Sequence, residues 1–407
     1  MKFSQIKRAI REGANDVATI WFNELKMTVQ DEAVLIFFVL APLVYPFLYA
    51  WIYNNEVVRE VPVAVVDLSH SAESRRYLRM VDASPDVSVA YYANSLAEAQ
   101  ELVGRQKARG VIYLPDDFGT KLGRGEQAHV SVYCDMSLML TYKAIFQTAQ
   151  AVASHINAGI QVAKSGSVTE REAELTTKPL NVAEVQMFNP TGGYGTFLLP
   201  AVLILVIQQT LLLGIGLAAG TSRENSRYGD LIPIDRHYRG LFHIVGGKAL
   251  CYFMIYAVVA AYLTLILPKL FHFTMLSTPS ALIGLMVPYI LACIFFGMTV
   301  SCLVRYRENV MLIIVVTSLI FLFLSGVSWP GSAIPAFWKG VSWLVPSTFG
   351  INGYIAVASM GATLEDISQE YFALWTQALI YFFTSCLFYK VQIDRAIRHK
   401  REELMGR

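Results

Sequence analysis

The sequence predicts a mainly α-helical membrane protein: six transmembrane helices with an α/β external domain inserted between helices 1 and 2. Three observations predict it. Of 407 residues, 55% are hydrophobic and only 16% are charged, against roughly 25% charged in soluble domains. Six runs, at 33–53, 196–221, 249–268, 281–304, 310–328 and 371–389, contain no Asp, Glu, Lys or Arg and approach the about 20 apolar residues that a bilayer span requires. Between the first two runs lies a polar stretch, 54–195, of about 140 residues, enough for a domain with its own core.

Each element follows in order. The N-terminus "MKFSQIKRAIREGANDVATIWFNELKM" is basic but has no apolar core or small-residue cleavage site, so it does not read as a signal peptide. Phe3, Ile6, Ile10, Ala14, Val17, Trp21 and Leu25 recur at helical spacing against Lys7, Arg8, Arg11 and Lys26. Residues 1–32 are therefore expected to form a cytoplasmic amphipathic helix in the interface, with Trp21 and Phe22 at headgroup depth. The alternative is a soluble helix packed on another protein. Within 54–195, "VPVAVVDLS" reads as a strand and "SAESRRYLRMVDA" as a Ser-capped helix. "SLAEAQELVGRQKA" is a second helix, "RGVIYLP" and "AHVSVYCD" are strands, and 138–164 is a long helix returning towards the membrane. Its mixed charge is that of an ordinary solvated surface.

Lys and Arg concentrate in 1–32, 223–248, 305–309 and the tail 390–407. With six spans these segments fall on one side, which the positive-inside rule makes the cytoplasm. Both termini are then cytoplasmic and 54–195 is external. The span 310–328 leads into "SGVSWPGSAIPAFWKGVSWLVPSTFGINGY" (325–354), where prolines interrupt helix and tryptophans suit the interface. Segment 329–350 is expected to be re-entrant, with a short helix at 334–344; a plain external loop is the alternative. Gly216 and Gly220 form a G-x-x-x-G that permits close helix approach. Gln208 and Gln209 are the strongly polar side chains in mid-span; they line a path or cross-link helices, and with Trp329 and Trp338 they are the candidate translocation residues.

Several chemistries find no residues. The five cysteines have no C-x-x-C or Cys/His spacing, so neither a disulfide framework nor a zinc site is implied. The nearest approach to a phosphate loop, "IVGGKAL", has Phe242 in place of the first Gly and Ala249 in place of Ser/Thr. No H-E-x-x-H or G-x-S-x-G signature occurs in the runs, and neither does an ionisable residue of the kind that marks an ion relay. Energy for any transport must therefore come from outside the chain. One segment is suited to receive it: "RENSRYGDLIPIDRHYRG" (223–240), where Arg223, Glu224, Arg227 and Asp230 offer charge and Leu231, Ile232, Pro233 and Ile234 an apolar contact.

With "AVVDLSHSAESRRYLRMVDASPDVSV", "GVIYLPDDFGTKLGRGEQAHVSVYCD", "SRENSRYGDLIPIDRHYRGLFHIVGGK" and "LSGVSWPGSAIPAFWKGVSWLVPSTFGINGY" in this order among the apolar runs, the chain resembles a permease subunit of an ATP-binding-cassette exporter. The resemblance is to the ABC-2 family, in the branch with a large external domain, and covers essentially the whole chain. The family's charged stretch is matched by Arg223, Glu224, Leu231, Pro233 and the closing Gly247-Lys248; Asn225 and "YGD" depart from it. The resemblance implies that 222–248 is a coupling segment docking on a separate ATPase subunit. ATP and magnesium would bind at that partner, with no cofactor in this chain. It further implies a second permease subunit, an inner-membrane location with a periplasmic domain, and in some relatives a periplasmic adaptor and outer-membrane channel. No nucleic-acid partner is implied. The alternative function is a non-transporting scaffold or sensor whose external domain binds an envelope partner.

Overall fold

The computed structural model describes residues 3–165, 169, 172, 177, 187–189, 192–224, 240–303 and 306–405. The chain divides into two compact units, Met1–Glu56 with Gln186–Arg407, and Val57–Val185.

The first unit opens with α1 (Phe3–Gln30) and α2 (Glu32–Ile52). Asp31 separates them: its carboxylate accepts from the Ala33 and Val34 N–H groups at 3.1 and 3.3 Å, satisfying donors that a helix start leaves unpaired. Burial along α1 is described for residues 11–30. The buried positions are Ile20, Glu24 and Thr28, one turn apart, while Trp21 and Leu25 are half-buried and Phe22 is exposed.

The second unit is a three-layer α/β fold: β1 (Val61–Asp67), α3 (Ala72–Asp82), β2 (Val87–Tyr92), α4 (Leu96–Gly104), β3 (Gly110–Leu114), α5 (Phe118–Arg124), β4 (Ser131–Cys134) and α6 (Met139–Ser165). The sheet order is β2-β1-β3-β4, with β4 antiparallel at the edge. Strand β1 is buried on both faces, as expected of a central parallel strand. Val63 and Val65 pack with Tyr77 and Val81 of α3 and with Ile145 and Val152 of α6. Ala64 and Val66 point the other way, towards Ala99 of α4. Ser71 and Ser95 cap α3 and α4 by accepting from Ser74 and Glu98 N–H, and Gly125 ends α5 at φ 73°, a left-handed conformation that suits glycine. β2 and α5 are additions to the sequence reading. Both are short, and their residues carry no clear period.

The chain then forms α7 (Tyr194–Glu224), α8 (Leu241–Leu270), α9 (Pro279–Leu303), α10 (Arg307–Leu324), α11 (Ala336–Ser342), α12 (Pro346–Met360) and α13 (Ser368–Met405). Among the described residues five helices are long and apolar enough to cross a membrane: α2, α7, α8, α9 and the Ser368–Asp394 part of α13. The fifth expected span, 310–328, is a shorter apolar helix over Glu308–Leu324, and the chain turns at Gly326, φ 86°. The expected 334–344 helix is α11, and α12, which the sequence reading left unassigned beyond 350, is a largely buried helix. Helix α13 continues through the basic tail to Met405. The core of this unit centres on α9, where Tyr289, Ala292, Cys293, Ile294 and Met298 are fully buried against α7, α12 and α13. Gly216 meets α10: a Cβ added there would lie 2.4 Å from Val310, the close approach that a small residue allows.

Candidate functional site

The residues singled out by sequence fall into three places. Arg223 and Glu224 are the last residues of α7. Arg227, Asp230, Leu231, Ile232, Pro233 and Ile234 lie outside the described residues. Gly247 and Lys248 are in the second turn of α8, and both face α1.

Lys248 is buried and paired. Its Nζ lies 2.5 Å from Oε2 of Glu24, which is also buried, and the Tyr252 hydroxyl donates to Oε1 of the same carboxylate. Tyr252 in turn sets its ring edge-on to Phe38 of α2 at 5.5 Å. Gly247 is where α1 comes closest: a Cβ there would lie 2.8 Å from Ile20 and 3.1 Å from the Val17 carbonyl. One turn earlier the same is true of Gly13, where a Cβ would lie 2.8 Å from His243. The contacts advance together along both helices, so α1 and α8 run parallel. This corrects the expectation that the apolar runs hold no ionisable residue. The third candidate span begins at Leu241 rather than 249, and so contains Lys248. Glu24 was missed because it interrupts no pattern; only its partner, 224 residues away, marks it.

Gln208 sits at the other polar cluster, near the middle of α7, and cross-links helices. Its Oε1 accepts from the Ser347 backbone N–H at 2.7 Å, and the Cys293 thiol approaches the same oxygen at 3.7 Å. Ser347 is at the start of α12, whose N-cap, Val345, has no side chain able to cap. An amide from a neighbouring helix therefore does what a Ser or Asp would do locally. Helix α13 holds the preceding turn: Gln377 Nε2 donates to the Trp343 carbonyl at 2.7 Å and the Tyr381 hydroxyl donates to the Leu344 carbonyl. Around this cradle are buried polar atoms with no protein partner among the described residues: Gln208 Nε2, both amide atoms of Gln209, Ser347 Oγ, Thr348 Oγ1 and Gln377 Oε1. Such groups are costly in an apolar surrounding. The sequence could have located Gln208, and did. Its partner Ser347 carried no local signal.

Trp329 and Trp338 are 59% and 49% exposed, whereas Gln208 is fully buried; the chain does not gather the four into one site. Among the described residues no group of three or more His, Cys, Asp or Glu side chains could hold a metal ion.

These features define a multi-pass membrane protein carrying a compact α/β unit within its chain. A family model for the ABC-2 family transporter protein matches residues 33–387. The chain belongs to that family and is a membrane-embedded transport component. No curated protein matches it.

Proposed function

We propose that this chain is the permease subunit of an ATP-driven exporter, energised by a separate ATPase and moving a hydrophobic or amphipathic substrate outward beside a second permease subunit. On this reading it lies in an inner membrane with both termini cytoplasmic and residues 54–195 periplasmic. ATP and magnesium belong to the partner. The chain crosses six times, α10 supplying the fifth crossing. At about 1.5 Å per residue its apolar part is nearly as long as the roughly 30 Å hydrocarbon core, and its outward side chains Leu312, Val315, Leu319 and Phe323 are suited to lipid. Segment 329–350 is then re-entrant from the outer leaflet.

The observation that carries the proposal is the continuity of α7. One helix runs from Tyr194 to Glu224, with Gln208 on the α12 cradle part-way along it and the charged stretch 225–239 at its end. A displacement applied at that stretch reaches the cradle through a single rigid element. On this reading Arg223, Glu224 and the Leu231–Ile234 stretch are the ATPase contact, and Gln208 is a joint within the bundle rather than a wall of the path.

Affinity purification of the chain from its native membrane, followed by assay of ATP hydrolysis, tests this. An ATPase is expected to co-purify, and an Arg223→Ala/Glu224→Ala/Pro233→Ala variant is expected to lose it. Transport by the purified chain alone under an ion gradient would overturn the proposal.

A further inference from the structure

The family match begins at residue 33 and therefore assigns nothing to α1. Yet α1 holds the acid of the ion pair that Lys248 completes, and it packs on α8 tightly enough that a Cβ at Gly247 would lie 2.9 Å from the Ile20 Cβ and 3.1 Å from the Val17 carbonyl. Packing alone does not require charge here. Replacing a buried ion pair by apolar residues of similar size is often neutral or stabilising. Buried polar pairs are best attested as devices that fix one register among several. A slip of α1 by one turn along α8 would move Glu24 about 5.4 Å, away from both Lys248 Nζ and the Tyr252 hydroxyl. It would also press side chains into Gly247.

We propose that Glu24, Lys248 and Tyr252 are positioning residues that lock α1 in one register on α8, so that α1 moves as one body with the helix emerging from the charged stretch 225–239. Tyr252 extends the lock to α2, because the ring that donates to Glu24 also packs on Phe38. The first candidate span is thereby tied to the third through a helix outside the family match. The proposal's consequence for transport rests on the reading above; the register itself does not.

The experiment uses the full chain in lipid nanodiscs. The five native cysteines are replaced, and spin labels are placed at Phe22 of α1 and Phe242 of α8, both exposed. Pulsed electron resonance should give one narrow distance for the parent chain. Glu24→Gln and Lys248→Met should broaden it, and the swap Glu24→Lys/Lys248→Glu should restore it. The decisive variant is apolar, Glu24→Leu/Lys248→Met. It should remain folded by circular dichroism, yet give a broadened distance or one displaced by about a turn. If it keeps the parent's narrow distance, the pair supplies packing only and the proposal is wrong. In the complex with the co-purified ATPase, the apolar variant should also weaken the permease's control of ATP hydrolysis by about fivefold or more. Unchanged control would overturn the link to transport. A parent chain that binds no ATPase would instead overturn the exporter reading and leave the distance measurement to decide the register.

Discussion

The capping groups of the α/β unit find partners close by in sequence, whereas the long polar side chains that cross-link the helical bundle find them far away. In the α/β unit Asp67 accepts from the Ser69 and Ser74 side of the next turn: Ser69 N–H and His70 N–H at 3.1 Å, and the Ser74 hydroxyl at 2.7 Å. The Ser71 and Ser95 caps act over three residues. In the bundle, Glu24 and Lys248 are 224 residues apart, and Gln208 and Ser347 are 139 apart. The difference follows from solvent. A turn at a wet surface can exchange a lost side-chain partner for water, so local devices suffice. A helix among apolar neighbours has no such substitute: hydroxyls such as Thr210 and Thr264 turn back to the carbonyl four residues earlier, while the longer side chains of Glu24, Lys248 and Gln208 are met by other helices.

Four substitutions break or sharpen this contrast, from the largest effect to the smallest. Lys248→Met strands the Glu24 carboxylate and should lower the stability of the bundle by about 3–5 kcal/mol, measured by reversible denaturant unfolding in detergent. A loss under about 1 kcal/mol would erase the contrast. Gln208→Leu keeps the volume and strands the Ser347 N–H, with an expected cost of about 1–3 kcal/mol. Hydrogen exchange at Ser347 and Thr348 should accelerate while exchange in the α/β sheet stays as it was.

Tyr77 makes a long-range bond within the α/β unit: its buried hydroxyl reaches the Ala149 carbonyl of α6 at 3.1 Å, 72 residues on. Tyr77→Phe should cost about 1 kcal/mol. Burial pushes the Tyr77 hydroxyl from 10.0 up to about 12. Because the folded unit favours the protonated form, this stabilisation is complete below pH 10 and is lost as pH rises through about 12. The variant should show a flatter stability profile over that interval; an identical alkaline profile would remove Tyr77 from the account. Smallest is Glu101→Gln, which removes the exposed pair with Arg105. It should change stability by no more than about 0.5 kcal/mol, and less at high salt.

The two regions also differ in how much of them could be read beforehand. The Ser71 cap, three of the four strands and the long α6 helix were legible because each is written within a few residues as a period or a capping residue. Strand β2 was not, because "VSVAYY" is half-buried without strict alternation. In the bundle, hydropathy located the apolar runs but set the third too late, since Lys248 looked like a boundary. It is instead an interior residue whose charge is answered by α1. On α1 the sequence marks an apolar stripe, and the structure adds a separate line of contact with α8. Hydrophobicity ranks Trp21 and Leu25 together, while between residues 11 and 30 the buried line runs through Ile20, Glu24 and Thr28.

By itself the sequence determined the membrane character, the order of apolar and polar segments and the α/β pattern between the first two runs. It also put Gln208 in mid-span and the charged stretch between α7 and α8. These are properties of composition and local spacing, and water or lipid responds to them directly. Only the tertiary structure decided that Lys248 turns to Glu24, that Gln208 caps α12 rather than facing Trp329 or Trp338, and that the run at 310–328 is a shorter helix. Each of these depends on which distant group lies within about 3 Å, and no local pattern encodes that distance.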